Sequence, residues 1–155
     1  MDSQPETIQP IAENLWWVLP GKLAGVRKPT AAELAELQAA GVGAIVSVMD
    51  DPSNLDIYKA ADWPHRWVPV KGGTAPSAEQ AEELKTFIDT QHQAGRAVAI
   101  HCTGGRRRTG TAIATYLIAS GTSFSEAIAA VTAANPAVEL REAQSKFLQT
   151  LAGES

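Results

Sequence analysis

Ala97-Val98-Ala99-Ile100-His101, running straight into Cys102-Thr103-Gly104-Gly105-Arg106-Arg107-Arg108-Thr109-Gly110 and then Thr111 to Ala119, is the stretch on which the fold turns. Its first four residues are small or β-branched, the composition of a strand buried on both faces of a parallel sheet. Thr111 to Ala119 reads as a helix stopped near Gly121. A strand joined to a helix through a turn rich in Gly and Arg belongs to an open α/β sheet, where ligands bind beyond the carboxyl ends of the strands.

The same alternation extends outward. Leu15-Trp16-Trp17-Val18-Leu19, closed by Pro20-Gly21, and Leu23 to Val26 read as two short strands. Thr30 with Glu33 forms a capping box for a helix reaching Gly41, with Leu34 and Leu37 inward. Ala44 to Met49 is a second buried strand, and Trp67-Val68-Pro69-Val70 resembles a strand end. Ser77 with Gln80 opens another helix, with Ala81, Leu84, Ile88 and Gln91 spaced along one face up to Gly95. Helices are expected over Ser125–Ala134 and Glu139–Leu151, covering one face of the sheet. The expected fold is α/β: a central, mostly parallel sheet flanked by helices.

Composition bounds the function. The 155 residues suit one domain, and 45% hydrophobic against 19% charged residues excludes intrinsic disorder. Seventeen acidic and 13 basic residues leave a net charge of −4, so neither nucleic acid nor an anionic membrane is an expected partner through bulk charge. One cysteine excludes a disulfide scaffold and a zinc site of several thiolates. The opening Met1 to Pro10 has two acids, two prolines and no apolar core, so residues 1–10 read as a loose tail, residues 11–155 as a single unit, and the expected location as cytoplasmic. No membrane span, metal or cofactor is expected, and the chain is expected to be a monomer.

The 101–110 turn carries the chemistry. Gly104 and Gly105 would let successive amides point inward as an anion nest, with Thr103, Gly104, Gly105, Arg106 and Arg107 around a bound phosphate-sized oxyanion such as phosphate or vanadate. Cys102 at the start of the turn would share that positive end, which lowers a cysteine pKa from about 8.5 into the range of about 3.5–7.5. Arg108 can bind two equatorial oxygens of a phosphoryl group with its planar fork. Thr109 can donate its hydroxyl to the sulfur and improve it as a leaving group. His101 is expected to order the loop.

His-Cys, two residues, Gly, two residues, Arg, Thr, Gly resembles at every fixed position the signature loop of the cysteine-dependent protein tyrosine and dual-specificity phosphatases. Trp17 to Gly25 looks like the N-terminal strand pair of the small atypical members, and the likeness runs over roughly residues 13–151. It implies the α/β sandwich of that family and a phosphomonoester hydrolase that passes through a cysteinyl phosphate, acting on phosphotyrosine, phosphoserine or phosphothreonine proteins.

The sequence departs from that pattern in two places. The family sets an aspartate general acid after a strand, in an Ile-Pro-Asp or Trp-Pro-Asp triplet, and here the matching stretch reads Val68-Pro69-Val70. Substitute acids are Asp50, Asp51, Asp62, His65 and Glu139, with Asp50 also suited to an ion pair on a loop arginine. Without a donor, the rate should depend steeply on leaving-group pKa, or the chain should only trap phosphorylated ligands. Gln144 could position the hydrolytic water or lie on a helix surface. Second, Arg106 and Arg107, with Lys71 nearby, suggest a small substrate with several phosphates: an inositol phosphate, a phosphoinositide or a nucleotide. Gly72-Gly73 reads as a hinge or a plain turn.

Overall fold

The computed structural model describes residues 10–104 and 106–153. All of the expected tail except Pro10, and Gly105 of the turn, lie outside them. Five strands form one sheet: β1 (Trp16–Leu19), β2 (Leu23–Val26), β3 (Val42–Ser47), β4 (His65–Trp67) and β5 (Ala97–His101), in the order β1-β2-β5-β3-β4. β1 is antiparallel to β2, and every other pair is parallel. The mostly parallel sheet expected from the buried apolar runs is the one observed.

Period-2 alternation divides the sheet between two cores. Leu23, Ala44, Val46, Val98 and Ile100 face one core, packed against α4 (Ala78–Gln93), α5 (Arg107–Ala119), α6 (Phe124–Ala134) and α7 (Glu142–Leu151). Val26, Ile45 and Ala99 face the other, covered by α1 (Ile11–Asn14), α2 (Leu34–Ala39) and α3 (Leu55–Ala60). With residues i and i+2 sharing a face, both sides of these strands are dry, which accounts for unbroken apolar runs in place of alternating ones.

Several boundaries differ from the sequence reading. β4 ends at Trp67 because Pro69 has no N–H to give to a ladder, although Val68 N and Val70 N still reach Ser47 O and Val48 O at 2.9 and 3.3 Å. α1 and α3, of four and six residues, are too short to carry helical periodicity. The helix after the turn starts at Arg107, four residues before Thr111. The last helix starts at Glu142, which leaves Glu139 and Arg141 in the preceding loop.

Gly110 fixes where that loop runs. A Cβ there would lie 2.8 Å from Val138 Cγ1, closer than real Cβ contacts, so only glycine lets the start of α5 meet Val138. On either side of Val138, Ala137, Glu139 and Arg141 line the same cavity as Cys102, which follows β5.

Candidate active site

The parallel strands β3, β4 and β5 deliver the segments after them to one edge of the sheet, and Cys102 follows β5 directly. Its side chain is 4% exposed. Thr109, one turn into α5 and fully buried, donates its hydroxyl to Cys102 Sγ at 3.2 Å. A hydroxyl donated to sulfur favours negative charge on it. Arg108 Nη1 donates to Val70 O at 3.1 Å and stands 3.8 Å from Asp50 Oδ1. The guanidinium has five donors in a fixed fork, so this bond anchors the head without exhausting it.

Behind Cys102 lies a chain of hydrogen bonds. Asn54 Nδ2 donates to Pro29 O at 2.8 Å and to Tyr58 Oη at 2.9 Å, which leaves the Tyr58 hydrogen for His101 Nε2 at 2.7 Å. His101 Nδ1 then donates to Cys102 O at 3.1 Å. His101 is fully buried, and desolvation is the largest of the causes that push its pKa down to about 4. The imidazole is neutral and orders the loop, as expected, and burial likewise raises the Tyr58 pKa.

A stability consequence follows from the linkage between protonation and folding. His101 titrates near 6.5 when unfolded and near 4 when folded, so between these values the unfolded chain holds the extra proton. Its contribution is complete above pH 6.5 and is lost as pH falls toward 4, up to about 3 kcal/mol from the size of the shift. Glu33, held down to about 2 chiefly by its hydrogen bond with Arg27, loses its contribution in a lower window, from about 4.5 downward. Melting curves should therefore show a fall in Tm between pH 6.5 and 4.5 that a His101→Asn variant lacks. A flat wild-type profile there would contradict the buried neutral imidazole.

Cys102 and Arg108 open into a cavity of about 540 Å³ lined also by Gly72, Gly73, Gly104, Arg106, Arg107, Ala137, Glu139 and Arg141. Arg106 and Arg107 are among the lining residues. Gly104 lines the cavity too, but outside the left-handed region, and a Cβ on it would meet nothing within 4 Å, so conformational freedom is not its reason for being glycine. The Thr103 side chain and Lys71 are exposed and outside this lining. Thr103 O instead accepts from Lys28 N at 3.4 Å, and Lys71 O closes a turn with Thr74 N at 3.0 Å.

The five alternative acids separate clearly. Asp62 lies beside Val42 and Gly43, at the opposite end of β3, and His65 opens β4 opposite Ile45 with Nδ1 on Trp63 O at 2.8 Å. Asp51 is engaged by Ser53 through both backbone N–H and hydroxyl, and those hydrogen bonds hold its pKa below the usual carboxylate value. Asp50 approaches Arg108, as an orienting ion pair would. Glu139 lines the cavity itself. Val70 is 3% exposed and packs in the core, and it is absent from the cavity lining.

Gln144 does not lie on a helix surface. It is fully buried, its Nε2 donating to Thr74 O at 3.0 Å and its Oε1 accepting from Arg141 N at 2.8 Å. The segment after β4 is thereby held at three carbonyls: Pro69 by Gln80 Nε2, Val70 by Arg108 and Thr74 by Gln144. Gly72-Gly73 is a turn inside a fastened segment.

A buried cysteine at the carboxyl end of a central strand, with an arginine six residues on and a hydroxyl on the sulfur, set in this helix-flanked sheet, defines a small atypical dual-specificity phosphatase of the cysteine-dependent superfamily. The family model described as "Polymorphic toxin system, DSP-PTPase phosphatase" matches residues 21–122, and the chain belongs to this family. The crystal structure of Tk-PTP in the active form is similar at 30% identity and a TM-score of 0.82, over 92% of this chain and 98% of that one. Human DUSP28 is similar at 23% identity and a TM-score of 0.71, over 94% and 97%. PTPMT1 is similar at 19% identity and a TM-score of 0.80, over 90% and 94%. At the identities of the last two, the likeness is one of fold.

Proposed function

We propose that this chain hydrolyses phosphomonoesters through a cysteinyl-phosphate intermediate on Cys102. The observation that carries the reading is the Thr109 hydroxyl on Cys102 Sγ, a bond that favours a charged sulfur and has no use in a module that only traps ligands. Cys102 Sγ attacks phosphorus, and the S–P bond forms as the bond to the leaving oxygen breaks. Arg108 and the start of α5 hold the equatorial oxygens. Glu139, the one carboxyl in the cavity lining, gives its proton to the leaving oxygen. Water then attacks phosphorus, Glu139 takes back a proton, and sulfur departs as thiolate with Thr109 donating to it. The products are an alcohol and inorganic phosphate.

Two substrate classes fit this chemistry. Phosphorylated tyrosine, serine or threonine in proteins is the class the family likeness suggests. Small polyphosphorylated compounds are favoured by the arginines around the cavity. The acid assignment is tested by the dependence of rate on leaving-group pKa. Wild type should show a shallow slope, and Glu139→Gln a steep one, with an alkyl phosphate slowed about 10²-fold or more and a nitrophenyl phosphate far less. Equal slopes in the two proteins would remove Glu139 from the role, and a steep wild-type slope would mean that no acid acts.

A further inference from the structure

We propose that the Cys102 cavity contains a second anion subsite, made by Arg141, Arg106 and Arg107, that selects polyol phosphomonoesters carrying a further phosphate, whether free or as a lipid headgroup. The proposal rests on the phosphomonoesterase reading and names its substrate class.

Four of the chain's seven arginines line this one cavity, against a single carboxylate, in a protein whose net charge is −4. Arg27 pairs with Glu33, Arg66 with Glu83, and Arg108 stands by Asp50. Among the described residues, no carboxylate lies within ion-pair distance of Arg106, Arg107 or Arg141. Like charges gathered without counterions repel one another, and a protein tolerates that where an anion is to be bound.

Arg141 sets this apart from the nucleophile loop, because it arrives on a different segment. Gly110 admits Val138, Val138 seats the 137–141 loop, and Gln144 Oε1 holds Arg141 N. The Arg141 stem lies against Gly73, its Cδ and Nε 3.4 and 3.5 Å from where a Cβ would stand, which is ordinary van der Waals contact. Its head is thus directed into the space that Cys102 and Arg108 also line. Guanidinium forks recognise phosphate oxygens in pairs, so a clamp beside the reacting phosphoryl group suits a second phosphate on the same molecule.

The walls suit a polyol better than an aromatic ring. At about 540 Å³ the cavity has room for a small molecule. Its uncharged lining, apart from Cys102, is Gly72, Gly73, Gly104 and Ala137, with no aromatic or branched side chain to stack on a ring. Arg106 and Gly104 also line an adjoining cavity of about 360 Å³, where Asn14, Asn135 and Glu13 offer partners for hydroxyl groups beside Leu15 and Trp16.

The test compares kcat/KM for inositol 1,4-bisphosphate, inositol 1-phosphate, phenyl phosphate and a doubly phosphorylated peptide. A charge-assisted contact predicts that the bisphosphate is preferred and that Arg141→Gln, which keeps the stem over Gly73, lowers the bisphosphate-to-phenyl phosphate ratio about 10- to 100-fold, with Arg141→Lys partly restoring it. The exposed Arg106→Gln should lower the ratio in the same direction. Loss of both substrates in equal proportion, or a preference for the peptide, would overturn the subsite while leaving the phosphatase reading intact. Phosphatidylcholine vesicles containing phosphatidylinositol 4,5-bisphosphate separate the sources: faster turnover there than of the free compound assigns the lipid headgroup, and the reverse assigns the free polyol phosphate. If no ester is hydrolysed yet the bisphosphate binds in an Arg141-dependent way, the subsite stands and the phosphatase reading falls.

Discussion

Cys102→Ser is expected to lower kcat by at least about 10⁴-fold, roughly 5 kcal/mol of barrier, for every phosphomonoester the protein turns over. A serine hydroxyl keeps its proton at neutral pH, and the neighbouring imidazole does not take it: His101 is turned away, with Nδ1 on the Cys102 carbonyl and Nε2 on Tyr58. The exchange is nearly isosteric at a site 4% exposed, so Arg108, the α5 terminus and the surrounding arginines should stay in place. Phosphate and other tetrahedral oxyanions should therefore bind the variant about as well as they bind wild type. Steady hydrolysis by the serine variant would show that the reaction does not go through sulfur.

Arg108→Lys is expected to lower kcat by about 10²–10³-fold, some 3–4 kcal/mol, with a smaller change in KM. Lysine keeps the charge but not the planar fork, so it can meet one equatorial oxygen where arginine meets two. It also loses the bond from Nη1 to Val70 O, which ties α5 to the segment after β4. Because charge on those oxygens grows toward the transition state, the loss falls on kcat more than on binding. Equal losses in kcat and in ground-state affinity would mean that Arg108 acts only as a binding group.

How much of this was legible in the sequence depends on how local the determinant is. The 97–119 stretch shows strand, turn and helix directly, because buried β-branched runs, capping boxes and glycine stops are local signals. Cys102, Arg108 and Thr109 follow from spacing alone, since a strand end and a first helical turn fix where they stand. Val70 is different: whether its side chain faces the site or the core depends on the pairing of Val68 and Val70 with Ser47 and Val48 across β3, which no single segment states. Arg141 was missed because residues 139–151 look helical throughout. The helix opens only at Glu142, with Gln144 Oε1 accepting from Arg141 N, and the loop before it packs Val138 against Gly110 while Arg141 lines the cavity. Gln144 looks like a surface glutamine in sequence and is buried for the same reason, by a loop some 70 residues away in the chain. Lys71 is exposed beside the cavity lining, its carbonyl closing a turn with Thr74 N, a placement the sequence does not state.

The most direct test of the account is to quench the protein in acid during turnover of a nitrophenyl phosphate and measure the mass of the intact chain and its peptides. The account predicts a mass increase of one phosphoryl group, on the peptide containing Cys102, that forms within the first turnover and is absent from Cys102→Ser. Turnover with no such adduct, or an adduct that persists in the serine variant, would contradict a cysteinyl-phosphate mechanism.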